Sequence, residues 1–248
     1  MDAVEIFNPG GTPGLLFLCD HASNRVPPCI GSLGLPDSEM RRHIAFDIGA
    51  RGVTLELARR FDAPAILSTV SRLVIDPNRG EDDPTLVMEL YDGTLIPANR
   101  RLSPAEIRRR IDRFYRPYHD AIAARLDAAI AAGHDPVVVS IHSMTDRLKD
   151  RPPRPWQVAV LHAHDTRLAT PLIARLRAEG DLCVGVNQPY SGALEGDCMA
   201  RHCLSRGLAH ALIEIRNDLI STPEGERRWA ARLEGPLRDA IAALRSPH

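Results

Sequence analysis

Three apolar runs in this chain end abruptly in a side chain able to bind a metal or move a proton. Residues 137–145 read Val-Val-Val-Ser-Ile-His-Ser-Met-Thr, a β-branched run that delivers His142. Leu15–Cys19 leads directly into Asp20 and His21, and Ala211-Leu212-Ile213 delivers Glu214. Open α/β sheets gather their ligands at the carboxyl ends of the strands. Two imidazoles and a carboxylate there are the parts of hydrolytic metal chemistry, nitrogen ligands for zinc and a base for water. In a strand, Glu214 faces the side opposite to Ile213 and Ile215. From there it can deprotonate a water and pass the proton to a leaving nitrogen. The competing reading is an ion pair with Arg216, on the same face two residues on.

Asp47 lies in the apolar stretch His43-Ile44-Ala45-Phe46-Asp47-Ile48-Gly49-Ala50, where an unpaired carboxylate is costly. As a third ligand it completes a His21, Asp47, His142 set with one position open for water; otherwise it is a salt-bridged carboxylate. Asn24 follows His21 by three residues, but a neutral amide is a poor zinc ligand. Residues 71–79, Ser-Arg-Leu-Val-Ile-Asp-Pro-Asn-Arg, form a natural carboxylate clamp through Arg72, Asn78 and Arg79. The two arginines can instead pair with Asp76 or the acids at 81–83. His202 is either a donor to a developing oxyanion or a histidine on a helix surface. The other histidines, His162 and His164 included, read as structural.

The elements that must hold these residues alternate. Strands are expected at 15–19, 65–69, 73–75, 137–142, 158–162, 183–186 and 211–215. Helices are expected at 37–60, at 103–132 with a kink near Tyr115-Arg116-Pro117-Tyr118, and at 168–178, 199–210 and 224–245. Ser103, Pro104 and Glu106 give the second helix a capping-box start. Residues 1–14 read as a lead-in and 76–84 as a polar loop. This pattern predicts one α/β domain over residues 1–248.

A formal net charge of −1 argues against non-specific nucleic-acid binding. No apolar run approaches the roughly 20 residues that cross a bilayer. Met1-Asp2-Ala3-Val4-Glu5 lacks the basic start of a signal peptide, so a cytoplasmic location is expected. The five cysteines include no C-x-x-C pair, which argues against a disulfide framework or a cysteine-rich zinc site.

Residues 18–24, 43–50, 71–79, 140–144 and 213–220 together resemble the N-formylglutamate amidohydrolase family. The resemblance implies a zinc carboxypeptidase-like, phosphorylase/hydrolase-like fold, three α/β/α layers around a mixed sheet. It also implies a zinc ion and hydrolysis of a small carboxylate-bearing N-acyl amino acid, foremost N-formyl-L-glutamate. In that comparison His21 and His142 match metal-site histidines. Glu214 resembles the carboxypeptidase general base, and Asn78-Arg79 resembles the pair that holds a substrate carboxylate. Zinc carboxypeptidases place a glutamate where this chain has Asn24, which favours Asp47 as third ligand over Asn24 or Asp20. Rival expectations are a metallo-carboxypeptidase, another N-acyl amino acid deacylase, or a non-catalytic binder of acidic metabolites.

Overall fold

The computed structural model describes residues 3–245. Nine strands occur among them: β1 Val4–Phe7, β2 Leu15–Cys19, β3 Ala65–Ser68, β4 Leu90–Tyr91, β5 Thr94–Leu95, β6 Val137–Met144, β7 Val158–Leu161, β8 Val184–Val186 and β9 His210–Arg216. Seven form a mixed sheet in the order β1-β3-β2-β6-β9-β7-β8. The neighbours β3, β2, β6 and β9 run parallel, while β1 and β7 pair antiparallel with β3 and β9. All eight residues of β6 are buried, as the near-continuous apolar run of a strand covered on both faces requires.

The sheet's two faces carry different helices. Val137, Val139 and Ile141 of β6 and Ala211, Ile213 and Ile215 of β9 join one core. That core includes residues of α2 (Ala50–Arg60), α5 (Ala169–Ala178) and α7 (Pro223–Arg245). Val138, Met144 and Leu212 point the other way, into a core shared with α4 (Arg116–Ala131) and α6 (Cys198–His202). His142 and Glu214 belong to this second face by strand alternation. A third cluster joins Ala3 to buried residues between 33 and 115, beneath the long connections.

Several expected elements differ. The helix expected over 37–60 is two pieces, α1 Asp37–Met40 and α2. Asp47 therefore sits in a loop. Gly49 caps α2 at φ 78°, and a Cβ there would run into the Ile220 carbonyl. Residues 73–75 are buried but form a turn, with Val74 N donating to Ser71 O at 2.9 Å. The lead-in contains the edge strand β1. The hairpin β4–β5, unforeseen, turns at Asp92-Gly93, both at positive φ.

The long helix starts as expected, with Ser103 accepting from Glu106 N, although the Glu106 carboxylate binds Arg109 and Arg110 instead of closing the box. After α3 (Pro104–Arg110) it passes through a π turn, Ile111–Tyr115, and enters α4. Pro117 has no N–H for the carbonyl four residues back, which explains the irregularity at that point. The helix expected over 199–210 stops at His202, followed by a single 3₁₀ turn. No helix of the described residues is long and apolar enough to cross a membrane.

Candidate metal centre and active site

The parallel β6–β9 ladder places His142 opposite Glu214, so two of the three strand-end residues share one face by register alone. His21 follows β2, the neighbour of β6 on its other side. Asp47 reaches the same point from its loop, which Asp47 N ties to His21 O at 3.0 Å. Gly49 supplies the left-handed residue that lets α2 start immediately beyond.

His21 Nδ1 and His142 Nδ1 lie 3.3 and 2.9 Å from one oxygen of Asp47. The other nitrogens turn outward. His21 Nε2 is 2.7 Å from Asp76 Oδ1, and His142 Nε2 is 2.7 Å from Asp20 Oδ2. An ionised carboxylate only accepts, so Asp76 and Asp20 hold protons on Nε2; a cation replacing protons on the Nδ1 side would find both Nδ1 atoms and Asp47 directed at it. The inner set of two imidazoles and a carboxylate is chemically suited to a divalent cation, and the outer carboxylates and the Arg72 guanidinium orient it. Burial alone would raise the Asp47 carboxyl, but His21 and His142 outweigh it and hold it far below the usual range. Asp20 behaves likewise: burial is outweighed by His142, and the acid is ionised. Burial disfavours a charged His142, yet Asp20 and Asp47 raise its pKa well above the ordinary value.

A second buried trio, His119, Cys198 and His202, also brings possible ligand atoms together. Its geometry is different. His119 Nδ1 and His202 Nε2 are 2.8 Å apart, while their nearly parallel rings have centroids 5.1 Å apart at 18°. These two nitrogens thus face each other along the line of centres, as in a hydrogen bond. His119 Nε2 donates to Pro77 O at 3.0 Å, so His119 Nδ1 accepts from His202 Nε2–H. Burial, then the neighbouring ring, lowers the His119 pKa to about 3; burial and Arg206 lower that of His202 to about 4.

The His21–Asp47–His142 trio opens into a cavity of about 440 Å³ that Glu214, Arg72, Asn78 and Arg79 also line. Glu214 Oε2 is buried without a hydrogen-bond partner among the described residues. Burial raises its carboxyl to about 7. The competing pair with Arg216 does not form, because Arg216 binds Asp218 at 2.8 Å. Asn78 Oδ1 accepts from Cys198 N at 3.0 Å, leaving its NH₂ as the end available to a ligand. Arg79 is anchored by its backbone, whose carbonyl accepts from Tyr115 OH at 2.7 Å.

Two expectations, for Arg72 and His202, need correction. Arg72 reaches the cavity but takes the alternative pairing, with Asp76 Oδ2 at 2.7 Å and Asp47 Oδ1 at 3.4 Å. It orders the Asp47 and Asp76 carboxylates and is not a free clamp. His202 is not among the cavity residues; it is buried against His119, and its place as an oxyanion donor is not supported by this packing. Asn24 donates to Met40 O at 2.8 Å and takes no part in the trio. Sequence reading missed the outer roles of Asp20 and Asp76, although Asp20 directly precedes His21 and Asp76 stands beside the clamp. It also missed His43, a cavity residue whose buried Nε2 lacks a hydrogen-bond partner among the described residues.

The family profile described as N-formylglutamate amidohydrolase matches residues 14–221. The chain belongs to the N-formylglutamate amidohydrolase family. It is therefore a hydrolase of that family, with the mixed seven-stranded sheet and flanking helices already described. Among solved structures it is similar to a gene product from Agrobacterium tumefaciens, at 34% identity and a TM-score of 0.94, over 99% of this chain and 97% of that one. An N-formylglutamate amidohydrolase from Ralstonia eutropha shares the fold at 24% identity and a TM-score of 0.77, covering 99% of both chains. No curated protein sequence matches the chain.

Proposed function

We propose that this amidohydrolase is zinc-dependent and cleaves the linear amide of a small carboxylate-bearing N-acyl amino acid, the class to which N-formyl-L-glutamate belongs. The observation that carries this reading is Glu214: a buried carboxylate with an unpartnered oxygen, in the same cavity as a converging His-Asp-His set. His21, Asp47 and His142 would hold the ion. A bound zinc supplies Lewis-acid polarisation of the acyl oxygen and lowers the pKa of water.

The protein's own groups do the rest. Arg79 and the Asn78 amide orient the substrate carboxylate. Glu214 accepts the proton of the attacking water and hands it to the nitrogen that leaves, so that the amine departs neutral. Leu161 and Leu212 beside it keep that side of the cavity apolar and strengthen each polar contact by excluding water.

Glu214→Gln tests the assignment. The amide keeps the shape but cannot take the proton. Zinc measured by elemental analysis should stay near one per chain, with kcat lower by about 10²–10⁴. A folded, zinc-loaded variant with the parent kcat would remove Glu214 from the chemistry.

A further inference from the structure

Three guanidinium groups stand in the cavity wall or directly behind it, and they differ in what already balances them. Arg72 donates to Asp76 Oδ2 at 2.7 Å and lies 3.4 Å from Asp47 Oδ1, so two carboxylates match it. Arg79 donates to neutral oxygens, Asn78 O at 2.7 Å and Thr85 Oγ1 at 3.1 Å. Arg154 is only 9% exposed, and it too meets neutral oxygens alone, Thr145 O and Tyr190 OH, each at 3.1 Å. Neither Arg79 nor Arg154 makes an ion pair among the described residues. A guanidinium taken out of water without an opposite charge is costly, and an arriving anion offsets that cost.

Arg154 is fixed at the carboxyl ends of the two strands that carry His142 and Glu214. Its N–H donates to Asp146 O at 2.7 Å, just beyond β6, and its carbonyl accepts from Nη1 of Arg216, the last residue of β9, at 3.3 Å. Both side chains that its guanidinium binds, Thr145 and Tyr190, line the cavity. The Tyr190 loop is tied to the end of β7. Asn187 Oδ1 accepts from His162 N at 2.9 Å and from Gly192 N at 3.2 Å, and a Cβ on Gly192 would strike the His162 backbone.

An arginine only donates, so the Tyr190 oxygen is the acceptor and its own O–H is left for another partner. Burial, then the Glu214 carboxylate, raises the pKa of this hydroxyl to about 12, so the proton stays on. The wall thus presents an O–H donor backed by an unmatched positive charge. His43 Nε2, buried without a hydrogen-bond partner among the described residues, is a further polar atom within reach of the Arg154 charge. The Arg79 charge acts on Asp197 instead. The two unmatched cations therefore serve different parts of the cavity.

Granting the amidohydrolase reading above, on which this rests, we propose that Tyr190, held by Arg154, receives a second carboxylate on the substrate's side chain, while Arg79 holds the first. Tyr190 is the contact and Arg154 the positioning residue behind it. Two separate unmatched cations fit a dianionic N-acyl amino acid, and a neutral side chain leaves Arg154 without its counter-charge.

The experiment compares N-formyl-L-glutamate with N-formyl-L-glutamine, nearly the same shape without the second charge, on the zinc-loaded protein. The glutamate derivative should be preferred by about 10–100-fold in kcat/KM, mainly through KM. Tyr190→Phe should narrow that ratio by about tenfold, and Arg154→Gln should narrow it further. Equal kcat/KM for the two compounds in the parent protein overturns this proposal and leaves the amidohydrolase reading intact. So does an unchanged ratio in a folded, active Tyr190→Phe; a common loss on both substrates would place the hydroxyl at the reacting amide. If Arg154→Gln fails to fold, Tyr190→Phe decides alone. Hydrolysis of neither compound overturns the N-acyl amino acid reading and this proposal with it.

Discussion

Asp20 shows how much a single atom decides at the candidate metal centre. Its carboxylate accepts from Tyr118 OH at 2.7 Å, Ser140 Oγ at 3.0 Å and His142 Nε2 at 2.7 Å. These bonds fix which His142 nitrogen carries the proton and thus which one can ligate. Asp20→Asn keeps one oxygen for Tyr118 or Ser140 but can present an NH₂ to His142, where two donors conflict. Relief through the other tautomer would protonate Nδ1 and block it as a ligand. The expected outcome is a loss of about 10–100-fold in zinc affinity, read by competition with a chelator. An unchanged affinity would mean that Asp20 is a structural acid only. The same logic separates the two histidine clusters. In one, outer carboxylates turn two Nδ1 atoms inward; in the other, three ring nitrogens go to the contact between the rings and to Pro77 O, while His202 Nδ1 has no partner among the described residues.

At the scale of elements, irregular pieces do the positioning. Asp47 lies between α1 and α2 because Gly49 adopts a left-handed conformation that starts α2 against the Ile220 backbone. Gly49→Ala should cost roughly 1–2 kcal/mol for the backbone alone, with more from the contact with Ile220. Because Asp47 is two residues away, weaker zinc binding should accompany the lower denaturation midpoint. Parent-like values of both would show that the turn tolerates a side chain. The π turn before α4 acts similarly on the other wall. It sets Tyr115 and His119 to grip the carbonyls of Arg79 and Pro77, while α6 holds Asn78 through Cys198 N. The loop that carries the proposed carboxylate clamp is therefore braced by two helices from the same face of the sheet.

For the whole molecule, the buried His119–His202 pair links stability to pH. Folding lowers these groups from an ordinary value near 6.5 to about 3 and about 4. Between those limits the unfolded chain binds more protons than the native one, so stability falls as pH falls below about 6.5 and the loss levels off near the folded values. Each group contributes a slope of at most about 1.4 kcal/mol per pH unit. Asp197 has the opposite sign: burial raises its carboxyl to about 6, so its share of stability declines as pH rises towards 6. Denaturant unfolding of the parent and His202→Gln between pH 6.5 and 5 isolates the histidine contribution. The variant should show the shallower loss on acidification; equal slopes would mean the pair titrates as it does in the unfolded chain.

The strand cores and the residues at their ends were readable from the chain alone because β periodicity and an abrupt apolar-to-polar change are local signals. Leu15–Cys19 before His21, the run before His142, and Glu214 between two isoleucines all carry them. Asp47 could be singled out by its apolar surroundings, but not located. Its helical periodicity continued through residues 41–49, and the break depends on Gly49 meeting Ile220 far along the chain. Charge partners were the least readable. Whether Arg72 serves a substrate or Asp76, and whether Glu214 is free or paired with Arg216, depends on competition among groups brought together by folding. The nearest partner in sequence won for Arg72 and lost for Glu214. Local spacing sets which pairs are feasible, while burial and the geometry of the assembled sheet set which pair forms.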